Sequence, residues 1–245
     1  MRSRTPFFES TVAQDVVSAV ADCVEPLLIY CGAGVSIDRT GLSWAGLIES
    51  CFPARHSKHY PSGPLRGEVT AGGLVQPEQL ASSLVFTLRR VASESSETLQ
   101  DTLRKRIKRS LYGDKAVWQA GELVPEIMKL AFLRSIAGRS TTILTTNYDD
   151  HLEAGYVEVR GDLDSDPHLP IPGLRVTVLS PEEEVIVEYP PANMEGGSAS
   201  TISLVYLHGR VPQVGEVSWP IVLDENSYAA TAALVGTALQ QRLRE

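Results

Sequence analysis

The sequence contains no Cys-x-x-Cys spacing; its three cysteines are Cys23, Cys31 and Cys51. This argues against a structural zinc site, which is normally gripped by closely paired thiolates, and no His/Glu/Cys cluster has metal-ligand spacing either, so no metal is expected. An odd number of isolated cysteines suits a reducing compartment, and cytoplasmic localisation is the expectation. Positive charge is also short. With 22 Lys+Arg against 30 Asp+Glu the net charge is −8, which disfavours the basic footprint needed to bind nucleic acid directly. A small anionic ligand is not excluded, because it needs only a local site. No apolar run approaches the roughly 18–20 residues of a membrane span, so no membrane association is expected. Arg2 and Arg4 have no apolar stretch behind them, unlike the start of a signal peptide. Internal repeats and low-complexity tails are lacking too.

What is present is 245 residues that are 43% hydrophobic, enough for one substantial core, and the chain reads as a single domain spanning 1–245. Val12, Val16, Val17, Val20 and Val24 recur near helical spacing and predict a helix from about Ser10 to Val24, ended by Pro26. Leu27-Leu28-Ile29-Tyr30-Cys31 is a short continuous apolar run bounded by turn signals, which predicts a strand buried on both faces. Gly32 and Gly34 follow, then a helix with Ser43 as its N-cap. Residues 53–73 are rich in Pro, Gly, His and Ser and read as an irregular loop.

Residues 75–137 read as an inserted helical subdomain. Its first helix starts at Pro77 and presents Leu80, Leu84, Val85 and Leu88 on one face. A second runs from about Glu97 to Leu111 and a third from about Val117 to Ala137, closed by Gly138. The basic residues Arg104 to Arg109 read as a solvated helix face, and Trp118 and Trp219 as packing residues. Thr141 to Thr146, Arg175 to Leu179, Glu184 to Tyr189 and Ile202 to Leu207 read as extended segments, with a last helix from about Glu225. The predicted fold is therefore α/β: a Rossmann-like, mainly parallel sheet flanked by helices, with the helical insertion and no zinc module.

Three motifs fall at predicted strand ends, where open α/β sheets bind ligands. Gly32-Ala33-Gly34-Val35-Ser36 lets backbone N–H groups approach a phosphate, aided by the start of the next helix, although Ile37 stands where a dinucleotide fingerprint has its third glycine. A tight turn with no ligand explains the loop equally well. Thr146-Asn147-Tyr148-Asp149 places an amide and a carboxylate after an apolar strand. Asn147 can orient a ribose hydroxyl or a water and Asp149 can hold sugar hydroxyls, while simple helix capping is the competing explanation. Leu207-His208-Gly209 offers an imidazole for acid–base work, against a purely structural histidine. His151 is a weaker site candidate, and His56, His59 and His168 sit in loop-like sequence.

Taken together, and with Gly41-Leu42-Ser43-Trp44 and Leu152-Glu153, these segments resemble the sirtuin superfamily in order and rough spacing, more closely its bacterial sirtuin-like branch. The resemblance runs from about Leu27 to Tyr228. It implies that Gly32, Ala33, Gly34, Val35, Ser36, Thr146 and Asp149 bind NAD and that Asn147 and His208 are catalytic. Members of that branch are commonly NAD hydrolases in anti-phage defence, so NAD is the expected substrate, with self-association and a fused or separate sensor module as expected partners. Deacylating sirtuins carry two Cys-x-x-Cys pairs and an Asp-Phe-Arg stretch; neither occurs here, which points away from deacylation. A binding module that holds NAD or a related nucleotide without turnover is the alternative. The family usually continues past the final helix, so the chain reads as the N-terminal part of a longer protein.

Overall fold

A computed structural model of the chain describes residues 19–20, 23–53, 77–113, 121–163, 168–179, 185–192, 201–215, 221–224, 227–229 and positions 232, 236 and 240. Trp118 and Trp219, most of the first predicted helix, most of the 53–73 loop and most of the last helix lie outside these residues.

The elements in chain order are β1 (Leu27–Cys31), α1 (Gly34–Thr40), α2 (Trp44–Cys51), α3 (Pro77–Ser95), α4 (Leu99–Tyr112), α5 (Leu123–Ile136), β2 (Thr141–Thr145), α6 (His151–Leu163), β3 (Leu174–Val178), β4 (Val185–Tyr189) and β5 (Ile202–Tyr206). The strands form one sheet in the order β1-β2-β5-β3-β4. All neighbours are parallel except β4, which pairs antiparallel with β3. Together with the flanking helices this is the α/β, Rossmann-like layering that the alternation of apolar strands and amphipathic segments implies. Among the described residues, no helix is long and apolar enough to cross a membrane.

The sheet's central strands owe their place to composition. Thr141–Thr145 and Ile202–Tyr206 each bury four of five residues, as strands covered on both faces must. β1 departs from the expectation. Among the described residues it is an edge strand, and Leu28 and Tyr30 are 46% and 64% exposed while Cys31 is buried. An apolar run shows that a strand is buried somewhere but not on how many faces; here alternate residues of the run point outward, with Ile29 and Cys31 facing the core.

Among the described residues two large apolar clusters organise the fold, beside a small one of Leu144, Leu179 and Val205. The first lies between the sheet and helices α5 and α6: Val124, Met128, Phe132, Leu152 and Tyr156 pack on Ile143, Val176, Leu204 and Tyr206. Gly155 permits this closeness, since a Cβ there would stand 2.4 Å from Val124 Cγ1. The second joins α2, α3 and α4 beyond the strand ends, through Ile48, Leu84, Leu88, Leu103 and Ile107. Of the three helices within 75–137, α3 and α4 therefore pack with α2, whereas α5 packs on the sheet. The third helix begins at Leu123, after the non-helical Gly121 and Glu122, rather than near Val117. Asp38 holds that start, its Oδ2 accepting the Leu123 N–H at 2.9 Å. At the other end Gly138 adopts φ +71°, the left-handed conformation that ends a helix at little cost to glycine.

Candidate functional site

The order β1-β2-β5 makes the three motif-bearing strands neighbours, so their carboxyl ends open on one place. The Thr146 N–H donates to the Cys31 carbonyl at 3.2 Å, and the Leu207 N–H to the Thr145 carbonyl at 2.9 Å. These bonds hold the three exits level. Above them lies a cleft of about 510 Å³, a size typical of small-molecule sites. Ala33, Ser36, Thr146, Asn147, Asp149 and His208 line its floor and Trp44, Leu47, Leu111, Val222, Leu223 and Tyr228 form much of its walls.

Asn147 is buried and its amide is oriented by two bonds. Nδ2 donates to the Gly32 carbonyl at 3.0 Å and to Ser36 Oγ at 2.8 Å. Both donor hydrogens are thereby used, and what Asn147 retains for a ligand is the acceptor Oδ1. Ser36 Oγ in turn donates a hydrogen bond to Asp149 Oδ2 at 2.7 Å. Ser36, expected among the NAD-binding residues, thus has its hydroxyl committed inside the protein, linking Asn147 to Asp149. Val35 likewise faces inward, packing on the sheet core, and its N–H closes the turn onto the Gly32 carbonyl at 3.0 Å.

Asp149 makes the capping contact that was the competing explanation for it, and its second oxygen is bonded within the protein. Oδ1 accepts the His151 N–H at 3.3 Å at the start of α6, a capping contact, while Oδ2 takes the Ser36 hydroxyl. Burial raises the Asp149 carboxyl above the ordinary carboxylate range, partly offset by His151 and the Ser36 bond. His151 is fully buried beside it, its ring edge-on to Tyr112 at 5.8 Å, and burial lowers its basicity. It is part of the support under the site rather than a group facing the cleft.

His208 differs. It is half-buried, faces the cleft, and its ring forms no hydrogen bond among the described residues. Tyr228 packs edge-on against it, with ring centroids 5.5 Å apart and planes at 82°. Burial lowers its pKa below the ordinary histidine value of 6.5, so at neutral pH the imidazole is uncharged and can accept a proton. If His208 is the base, turnover should rise with pH through a limb below 6.5 and then level off. A pH–rate profile in wild type and in His208→Gln checks this, and a limb above pH 7 contradicts it.

The glycine loop is open. The N–H groups of Ala33 and Gly34 donate to nothing among the described residues. No atom lies within 4 Å of a Cβ built on Gly34, and a Cβ on Gly32 meets only Thr146 Oγ1 at 4.0 Å. Neither glycine has a positive φ. Because α1 has only seven residues, individual N–H groups rather than a helix dipole are what the loop offers an anion. Cys31, directly beneath, is 1% exposed and burial pushes its thiol up to about 11, which leaves it inert as a nucleophile.

Val222, Leu223, Asp224 and Tyr228 form a wall of the cleft that no motif in the sequence marks. The Val222 N–H donates to the His208 carbonyl at 3.0 Å, and Tyr148 Oη donates to the Val222 carbonyl at 2.7 Å. Trp44, seen in sequence only as part of a motif stretch, also lines the cleft. No protein-family model matches this chain, and no curated protein matches it.

Proposed function

We propose that the chain is an NAD glycohydrolase, with NAD as its substrate and nicotinamide and ADP-ribose as products. The observation that carries the reading is the meeting of Asn147 Oδ1 and the His208 ring, which forms no hydrogen bond among the described residues, in one cleft at the ends of three adjacent parallel strands. In the reaction the C1′–N1 bond breaks with its electron pair going to nicotinamide, which leaves neutral and needs no strong acid. Water supplies the new C1′–O bond. His208 takes the proton that water releases, and Asn147 Oδ1 accepts a hydrogen bond from that water or from a ribose hydroxyl. The predominantly apolar walls exclude bulk water and strengthen these polar contacts.

The Ala33 and Gly34 N–H groups receive the pyrophosphate, and Thr146 and Asp149 flank the sugar. Gly32 and Gly34 support this division of labour: neither backbone conformation nor packing demands glycine there. Gly34→Ala should leave the fold intact or stabilise it by about 0.4–1 kcal/mol, yet weaken NAD binding by placing a methyl group where the phosphates approach. Thermal unfolding together with calorimetric NAD titration checks both halves, and unchanged NAD affinity contradicts the loop's role.

Resemblance to the bacterial sirtuin-like branch adds the biological setting, an NAD-depleting effector of anti-phage defence that self-associates and is controlled by a sensor module. Etheno-NAD, whose fluorescence rises when nicotinamide departs, tests the activity. Sustained fluorescence increase with the purified chain is expected. Saturable NAD binding with a flat signal would instead identify a binding module without turnover.

A further inference from the structure

Beneath the cleft, a buried ion pair takes no part in the chemistry described above. Glu153 lies in the first turn of α6, four residues after Asp149, and its side chain is 3% exposed. Arg210 follows His208 by two residues and is 9% exposed. The guanidinium grips the carboxylate with two bonds, Nε to Oε1 at 2.5 Å and Nη2 to Oε2 at 2.7 Å. Tyr189 Oη, from β4, donates to Oε2 at 2.9 Å. Tyr206 Oη, at the end of β5, shares its proton between Oε1 at 3.1 Å and the Asp149 backbone carbonyl at 3.0 Å.

Such an arrangement is a poor way to obtain stability alone. Removing two charges from water is costly, and apolar side chains of similar volume hold a core as well or better. A planar, two-bond contact instead fixes distance and direction, which apolar packing does not. The elements it ties are those that carry the site. Between His208 and Arg210 the chain turns at Gly209, with φ +89°, so the anchorage of Arg210 sets the direction from which His208 enters the cleft. Glu153 and Tyr206 together fix the start of α6 and the Asp149 carbonyl.

We infer that the Arg210–Glu153 pair, with Tyr189 and Tyr206, is a positioning device that sets His208 relative to Asn147 and Asp149. Its catalytic consequence rests on the hydrolase reading. The test uses the full chain with Glu153→Gln, which keeps shape but removes the charge, and Tyr189→Phe, which removes one donor. Steady-state NAD hydrolysis is measured alongside ¹H–¹³C spectra of the histidine rings, with His208 assigned by its absence in His208→Gln.

The expected result for Glu153→Gln is unaltered circular dichroism, KM little changed and kcat lowered by roughly 10- to 100-fold, the order of loss when a reacting group is misplaced by about 1 Å. The His208 ring signals should move. Tyr189→Phe should shift kcat and the ring signals in the same direction by less, and it decides the matter if Glu153→Gln does not fold. Unmoved His208 signals with kcat unchanged per folded molecule overturn the inference. If the wild-type chain turns over no NAD, the hydrolase reading fails, and the ring signals alone decide whether the pair positions His208.

Discussion

His208→Ala is expected to lower NAD turnover by about 10²–10⁴-fold, the contribution typical of a positioned general base. The fold should survive, because the His208 ring forms no hydrogen bond among the described residues and contacts Tyr228, which is itself 57% exposed. NAD affinity should change little, since the N–H groups proposed to receive the phosphates belong to the glycine loop that follows a different strand, β1. Paired measurements of kcat and of NAD binding separate these effects. A variant that binds NAD normally and turns it over at the wild-type rate would remove His208 from the chemistry.

The second large effect concerns stability. Arg210→Ala strands the Glu153 carboxylate in a site where it is 3% exposed, and breaking a buried pair in this way costs about 3–5 kcal/mol. The double substitution Glu153→Leu with Arg210→Met removes both charges and should recover most of that loss, because neither is left unpaired. Turnover should nevertheless stay low in the double variant, since apolar packing does not restore the direction set by the two guanidinium bonds. Urea unfolding of the wild type, the single variant and the double variant checks the stability half. An Arg210→Ala effect within about 1 kcal/mol, the range of an exposed pair, would mean that the charges are effectively solvated.

Local chemistry made much of the fold legible. Thr141–Thr145 and Ile202–Tyr206 are rich in β-branched and apolar residues, and Ser43 caps its helix with a short polar side chain, its Oγ accepting the Gly46 N–H. What local pattern could not carry was long-range pairing. Nothing in Leu27–Cys31 distinguishes an edge strand from a central one, and Leu28 and Tyr30 are exposed because they point to the face of β1 away from the core that Ile29 and Cys31 join.

The site divides in the same way. Asn147, Asp149 and His208 were visible because polar groups straight after apolar strands are unusual, and the strand order brings all three to one cleft. Ser36 lines the cleft, but the partners of its hydroxyl were not legible: it meets Asn147 and Asp149 across more than 100 residues of sequence. The Val222–Asp224 wall and the Arg210–Glu153 pair were hidden for the same reason. Arg210 and Glu153 are 57 residues apart, and although Leu152-Glu153 counts toward the family resemblance, nothing in either segment signals their pairing.

Chromatography of the products after incubating the purified chain with NAD, beside Asn147→Ala and His208→Ala, bears most directly on the assignment. The expected result is nicotinamide and ADP-ribose in equal amounts from the wild type and little of either from the two variants. Undiminished NAD after prolonged incubation with wild-type protein that binds it, or equal product release by all three proteins, would contradict cleavage of the nicotinamide–ribose bond by this cleft.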